Sequence, residues 1–320
     1  MGRRIVVTRR IPDPALELLR AAGDVWRSPH DRPLTQPELH EAVAGAEAVL
    51  TMLHDPVDGA FLDAAGPGLK VVANVAVGFD NVDVAACTAR GVRFTNTPGV
   101  LTEATADIAF SLILMATRRL GEGERLIRAQ VPWSFSMDFH LGTSIQGKTL
   151  GIIGLGQIGA ATGRRARAFG MDVIHSGRRA ADPAVERELG AYRVDFDELL
   201  ANSDVVSLHC PLTPATRHLI NGERLRQMKP TAYLINTTRG PVVDEAALAA
   251  ALRDNVIAGA GLDVFEREPE VHPDLLGLDN VVLLPHLGSA TIETRTAMAE
   301  LAARNAIAVL AGTDPPTPVN

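Results

Sequence analysis

Apolar residues fall in short runs, and between the runs the apolar positions recur at three and four residues, so the chain alternates between two periodicities almost from end to end. Runs of four or five apolar residues bounded by turn formers predict buried strands, and the one-faced stretches between them predict helices. A first series places strands at Arg4 to Thr8, Ala48 to Met52, Val71 to Asn74 and Val92 to Thr95, with helices beginning near Pro12, Gln36, Gly59 and Asp83. A second places strands at Thr149 to Ile153, Asp172 to His175, Val205 to Leu208, Ala232 to Ile235, Ile257 to Gly261 and Val281 to Leu284. Such alternation is that of βαβ units, whose parallel strands are covered by helices on both faces. The pattern therefore predicts an α/β protein of two doubly wound parallel sheets.

A long helix opened by Thr102 stands between the two series. Glu103 and Asp107 lie near its positive end and Arg118 and Arg119 near its negative end, so it reads as a connector. The closing helix, Thr291 to Leu310, stops at Gly312 before the sequence DPPTPV and has no partner strand nearby. If it returns to the first series, the chain passes between domains twice, near Pro98 to Val100 and near His286 to Ser289. A cleft between the domains is then the expected ligand site.

Composition narrows the functional classes. The 320 residues suit roughly two domains at about 150 each, and 46% hydrophobic with 22% charged residues is ordinary globular composition. A formal net charge of −7 gives no global reason to bind nucleic acid or an anionic membrane. The most apolar stretch, Ile108 to Ala116, is far shorter than the roughly 20 residues of a membrane span, and Met1-Gly2-Arg3-Arg4 leads straight into a strand. A cytoplasmic protein is expected. Cys87 and Cys210 are too few for a disulfide framework and lack the spacing of a metal knuckle, so both read as reduced and packed. The histidines show no metal-like spacing either, and no metal is expected.

The strongest chemical signal is KTLGIIGLGQIGAATG, which sets Gly154, Gly156 and Gly159 as GxGxxG between an apolar strand and a helix. Gly154 makes the tight turn, Gly156 lets the backbone approach a pyrophosphate, and Gly159 allows close packing of helix on strand. Gln157 and Ile158 belong to the same cofactor-binding turn at the helix N-terminus. A dinucleotide enzyme choosing NAD carries an acid about 20 residues on, to bind the ribose 2′-hydroxyl. Here the stretch reads HSGRRA: no carboxylate occurs from Val173 to Ala181, and Ser176, Arg178 and Arg179 suit a 2′-phosphate instead. NADP(H) is expected over NAD(H).

With these residues in view, the chain resembles the D-isomer-specific 2-hydroxyacid dehydrogenases, and most closely their glyoxylate/hydroxypyruvate reductases. The resemblance rests on VAVGFDNVDV (75 to 84), TNTPGVLTEATADIAFSLILMATRR (95 to 119), GKTLGIIGLGQIG (147 to 159), INTTRGPVVDEAALAAAL (235 to 252), AGLDVFEREP (260 to 269) and LLPHLGSAT (283 to 291). It implies a Rossmann dinucleotide-binding domain over 99–289 and a flavodoxin-like substrate-binding domain from 1–98 and 290–320. It also implies a catalytic trio, which falls on Arg239, Glu268 and His286.

Physical chemistry gives each of the three a task in reducing a 2-oxo acid. Hydride reaching the carbonyl carbon builds negative charge on oxygen, and an imidazole such as His286 can stand beside it as proton donor. A neighbouring carboxylate, Glu268, favours the protonated ring and holds its orientation. Arg239 offers a planar fork to the substrate carboxylate and can polarise the carbonyl. Glu266, two residues before Glu268, reads as solvent-facing, since the family places its acid immediately before proline.

By the same resemblance, backbone N–H groups at Ala76, Val77 and Gly78 hold the substrate carboxylate and Leu53 lines the substrate pocket. Thr237, Arg239 and Asp263 lie around the nicotinamide, Asp263 bonding its carboxamide, Pro211 borders the adenosine side, and Gly288 is a further cofactor-binding position. The arm VPWSFSMDFHLG keeps one tryptophan where such reductases often show two. Trp133, Phe135 and Phe139 crowd into it, from a chain with only two tryptophans, two tyrosines and nine phenylalanines. In related reductases this arm reaches the partner subunit, so a homodimer is expected, with local core packing the alternative. The resemblance implies reduction of glyoxylate or hydroxypyruvate. Another D-2-hydroxyacid dehydrogenase, acting on D-lactate or D-3-phosphoglycerate, and a dinucleotide-sensing corepressor-like binding protein remain open on the same fold.

Overall fold

The computed structural model describes residues 3–320. Met1 and Gly2, part of the N-terminal segment read as leading into a strand, lie outside the described residues. In chain order the elements are β1 (Arg4–Val7), α1 (Asp13–Ala22), β2 (Asp24–Arg27), α2 (Gln36–Val43), β3 (Ala48–Thr51), α3 (Gly59–Ala65), β4 (Val71–Asn74), α4 (Val84–Ala89) and β5 (Arg93–Thr95). There follow α5 (Thr102–Thr117), α6 (Leu120–Arg128), β6 (Thr149–Ile153), α7 (Gln157–Ala168), β7 (Asp172–Ser176), α8 (Pro183–Leu189), β8 (Tyr192–Arg193), α9 (Phe196–Asn202) and β9 (Val205–Leu208). The last are α10 (Gly222–Gln227), β10 (Tyr233–Asn236), α11 (Glu245–Arg253), β11 (Gly259–Leu262), α12 (Pro273–Leu276), β12 (Val281–Leu283) and α13 (Ile292–Leu310). The chain divides into two compact units, one of residues up to Leu101 with Ala290–Asn320, the other Thr102–Ser289.

In the first unit five parallel strands lie in the order β2-β1-β3-β4-β5, the flavodoxin-like arrangement. Side chains alternate across a strand, so Ile5 and Val7 face one layer and Val6 the other. On one side Leu16 and Leu19 of α1 and an alanine stripe of α13, Ala299, Ala302, Ala303 and Ala306, pack on Leu50, Val71 and Ala73. On the other, Leu39, Val43 and Phe61 meet Val49, Val72 and Phe94. The closing helix thus finds its sheet in residues more than 200 positions earlier in the chain. Four strands were expected here and five are present. The missed β2, sequence DVWR, is an edge strand with both ends exposed, so it carries no apolar run to signal it.

The second unit has seven parallel strands in the order β12-β11-β10-β9-β6-β7-β8. From β6 the chain steps outward through β7 and β8, then returns to β9 and continues the other way. The order therefore reverses between β6 and β9, the place where open α/β sheets bind ligands at their carboxyl edge. Helix α5 is more than the connector expected: Phe110, Leu112 and Ile113 are buried in this unit's core together with Ile152, Tyr233 and Ile235. The two-residue β8 was also missed, being exposed and polar. Among the described residues no helix is long and apolar enough to cross a membrane.

Candidate active site

Because every strand of the second sheet is parallel, the turns after β6, β7, β9, β10, β11 and β12 share one edge. That edge collects Gly154, Ser176, Pro211, Arg239, Asp263 and His286, residues widely separated in sequence.

The structure brings Glu268 and His286 together: His286 Nδ1 lies 2.8 Å from Glu268 Oε2. The other carboxylate oxygen of Glu268 accepts the Phe265 N–H at 3.1 Å, which fixes the acid within its own loop. With Nδ1 turned to the carboxylate, Nε2 is the nitrogen left for a reacting group. His286 adopts a left-handed backbone, φ 55°, a conformation costing a non-glycine residue about 1–2 kcal/mol. Asp263 holds it there. The His286 N–H donates to the Asp263 carbonyl at 2.9 Å, and the next two, of Leu287 and Gly288, donate to Asp263 Oδ1 and Oδ2 at 2.7 and 2.8 Å. Asp263 is buried, and burial pushes its carboxyl up from the ordinary value, against the pull of those backbone donors and the nearby imidazole.

Arg239 sits in a turn organised by Asn236 at the end of β10. Asn236 Oδ1 accepts from the Thr238 N–H and hydroxyl at 3.0 and 2.8 Å, and its Nδ2 donates to the Arg239 carbonyl at 3.0 Å. The guanidinium is half-buried, with Nη1 donating to the Thr238 carbonyl at 2.8 Å. Glu266 corrects an expectation. It is half-buried, not solvent-facing, and its Oε1 accepts the N–H of Glu245 at 3.0 Å, a donor that the start of α11 leaves without an intrahelical acceptor. Asn236 and Glu245 were missed altogether. Only the strand-end position of Asn236, where asparagine commonly builds a turn, could have flagged either.

The glycine-rich turn fits a dinucleotide. Gly154 has φ 96°, and a Cβ there would lie 2.9 Å from the His209 carbonyl oxygen. At Gly156 a Cβ would meet nothing within 4 Å, so the turn opens onto free space, while at Gly159 it would come within 2.6 Å of the Gly154 oxygen. Gln157 and Ile158 begin α7, whose N-terminus has no side-chain cap, so its first N–H groups are available to an anion. The Thr237 hydroxyl is buried with no hydrogen-bond partner among the described residues, as a group that serves a ligand would be.

Beside this turn Ser176 is nearly buried at the end of β7. Arg178 and Arg179 are exposed and form no hydrogen bond or ion pair with the described residues. Arg193 adds a third guanidinium that the sequence did not suggest, donating to the Gly177 carbonyl at 2.7 Å. Pro211 is exposed. Just before it, burial pushes the His209 imidazole down to about 4 and the Cys210 thiol up to about 11, so both are neutral near pH 7.

In the first unit, Leu53 is half-buried after β3 and Ala76, Val77 and Gly78 follow β4. Their three carbonyls are all engaged: Ala76 accepts from the Thr97 N–H at 2.9 Å, Val77 from Asn96 Nδ2 at 2.8 Å and Gly78 from Asn74 Nδ2 at 3.2 Å. A trans peptide points its N–H opposite its C=O, so the Val77 N–H is directed away from Thr97 and those of Gly78 and Phe79 away from the asparagines. Asn81 Nδ2 bonds the Met52 and Asp55 carbonyls, tying the loop of Leu53 to this one.

The aromatic arm does not pack into a core. Trp133, Phe135 and Met137 are 58%, 83% and 84% exposed, and the only ring partner of Trp133 among the described residues is Phe139, stacked at 6.1 Å.

Three kinds of likeness accompany this geometry. The family model described as D-isomer specific 2-hydroxyacid dehydrogenase, NAD binding domain, matches residues 110–288. A glyoxylate reductase of Thermococcus onnurineus (strain NA1) is 48% identical over 326 residues, covering 100% of this chain and 96% of that protein. The crystal structure of a glyoxylate reductase from Paecilomyes thermophila superposes with a TM-score of 0.90 at 34% identity, covering 99% of this chain and 98% of that one. That of an NADPH-dependent glyoxylate/hydroxypyruvate reductase from Sinorhizobium meliloti, in complex with NADP and malonate, gives 0.85 at 35% identity, covering 99% and 96%.

Proposed function

Given that the chain belongs to the D-isomer-specific 2-hydroxyacid dehydrogenases, we propose that it reduces glyoxylate or hydroxypyruvate to the 2-hydroxy acid with NADPH. The observation that carries this reading is the His286–Glu268 pair at 2.8 Å, on the same sheet edge as the open turn at Gly156. A bound nicotinamide dinucleotide supplies hydride to the carbonyl carbon. His286 Nε2 gives the proton to the carbonyl oxygen, and Glu268 stabilises the charged ring and fixes its tautomer. Arg239 receives the substrate carboxylate on its fork and polarises the carbonyl. Asp263 keeps the imidazole presented by holding the left-handed turn from beneath.

The pyrophosphate role falls to the turn Gly154 to Gly159 and the N-terminus of α7, with Thr237 and Gly288 toward the nicotinamide and Pro211 toward the adenosine. Ser176, Arg178 and Arg179 receive the 2′-phosphate. In the first unit the outward N–H groups of Val77 and Gly78, with that of Ala76 beside them, are assigned to the substrate carboxylate, and Leu53 and Val77 offer apolar walls that suit a small substrate. The exposed aromatic arm supports a homodimer. Two unpaired thiols, Cys87 and Cys210, support a cytoplasmic setting.

Assays of the purified protein with glyoxylate, hydroxypyruvate and pyruvate against both NADH and NADPH test the proposal. Glyoxylate or hydroxypyruvate with NADPH should give the highest kcat/KM. Faster turnover of pyruvate or of phosphorylated hydroxy acids would reject the substrate class, and tight dinucleotide binding without turnover would point to a sensor.

A further inference from the structure

Glu245 and Glu266 form a reciprocal clasp. The Glu245 N–H donates to Glu266 Oε1 at 3.0 Å, and the Glu266 N–H donates to Glu245 Oε1 at 2.5 Å. Glu245 is only 5% exposed, and burial together with the Glu266 charge pushes its carboxyl up from the ordinary value, while the His272 N–H and charge pull it down. A buried carboxylate is costly unless it is well bonded, so its partners explain its presence. Local helix capping is not the explanation. The cap of α11 is Asp244, whose carboxylate accepts the Ala247 N–H at 3.0 Å, so the Glu245 carboxylate is free to reach out of its own helix.

What it reaches is the loop of Glu268, and the chain between Arg239 and Glu245 is pressed on the same loop. Gly240 packs so closely there that a Cβ would lie 1.8 Å from the Phe265 carbonyl carbon and 2.3 Å from the Glu266 nitrogen. The peptide joining Phe265 and Glu266 is thus trapped between Gly240, next to Arg239, and Glu245. On the far side of that peptide the Phe265 N–H bonds Glu268 Oε1, and the other oxygen of Glu268 meets His286. His218 Nε2 lies 3.3 Å from Glu266 Oε1 without hydrogen-bond geometry.

We infer that the Glu245–Glu266 clasp is a positioning element of the reaction: it locks the loop that carries Arg239 to the loop that carries Glu268, and so sets where the partner of His286 stands. The inference rests on the roles proposed above for those residues. In this reading Glu245 and Glu266 are positioning residues that act through Glu268 and Arg239.

The test compares Glu245→Ala, Glu245→Gln and Glu266→Ala in the full-length protein. The glutamine keeps an amide oxygen that can accept the Glu266 N–H; the alanines each delete one arm of the clasp. Glu245→Ala should lower kcat by about tenfold to a hundredfold, the scale on which small misplacements act, with KM and NADPH binding changed little. Its turnover should also fall off at lower pH than that of the unaltered protein, because a displaced Glu268 supports the protonated imidazole less well. Glu245→Gln should recover most of both effects. Hydrogen–deuterium exchange should quicken together at 238–242 and 264–268 in each alanine variant. If Glu245→Ala does not fold, Glu266→Ala carries the same expectations. Alanine variants with the parent kcat and pH profile, or a glutamine no better than alanine, would overturn the inference. The exchange comparison needs no substrate: a protein that reduces no 2-oxo acid sinks the proposed function, whereas exchange confined to one loop sinks the clasp.

Discussion

At the scale of single residues, the site depends on a histidine held in a conformation that few non-glycine residues adopt, and on the aspartate that holds it. His286→Ala should lower turnover by about a hundredfold to ten-thousandfold, the usual contribution of one general acid, while dinucleotide affinity measured by fluorescence titration stays within error. Near-normal activity would remove His286 from the mechanism. Asp263 gives a prediction in pH. Its folded carboxyl titrates above the ordinary 3.8, so the native protein retains a proton that the unfolded chain has released. The stability this contributes is complete below 3.8 and is lost as pH rises through the raised value. Asparagine cannot titrate, so in chemical denaturation the stability of Asp263→Asn relative to its parent should climb with pH through that window and level off above it. Asparagine also places an amide against two N–H donors, an offset independent of pH, so the slope is the diagnostic. A difference that does not vary with pH would contradict the assignment.

At the scale of elements, the proposed choice of dinucleotide rests on the turn after β7. A carboxylate there would repel a 2′-phosphate, and its absence alone leaves only indifference. In the proposed reading the exposed guanidiniums of Arg178 and Arg179 supply the attraction, and Arg193, bonded to the Gly177 carbonyl, adds positive potential beside them. A hydrogen bond to a charged group contributes about 1.5–3 kcal/mol, one to two powers of ten in relative affinity, and solvent at this rim reduces it. The ratio of kcat/KM for NADPH over NADH should exceed one at modest ionic strength, shrink as salt rises, and collapse in Arg178→Ala. A parent protein that uses NADH equally well or better would return these arginines to the status of surface residues.

At the scale of the whole molecule, apolar side chains stand in water along one stretch of chain. Leu120, Ile127, Val131, Trp133, Phe135, Met137, Phe139 and Leu141 are all exposed, and α6 buries none of its residues. The proposed homodimer rests on this apolar surface, since a two-fold pair of identical chains would cover the stretch on both copies at once. Light scattering should find a dimer at micromolar concentration and a monomer after Phe135→Asp with Met137→Asp, which place charges in the contact. A parent protein that is monomeric at that concentration would reject the arrangement.

Much of this protein was settled by its sequence alone. Strands buried on both faces must be apolar throughout, so β1, β3, β4, β6, β9 and β10 announce themselves as runs, and a turn that must come close to a phosphate can hold only glycine at its tightest points. The pattern failed where burial is partial: β2 and β8 lie at sheet edges and are polar enough to pass for loops. It failed again where a group's partner is distant in the chain. That α13 covers β3 and β4, that Asp263 grips the turn of His286, and that Glu266 is drawn inward by Glu245 follow from backbone donors and apolar faces seeking partners across tens to hundreds of residues. Local periodicity carries no information about such pairings, because any carboxylate of the right reach satisfies an unpaired N–H equally well. Only the folded chain determines which one is there.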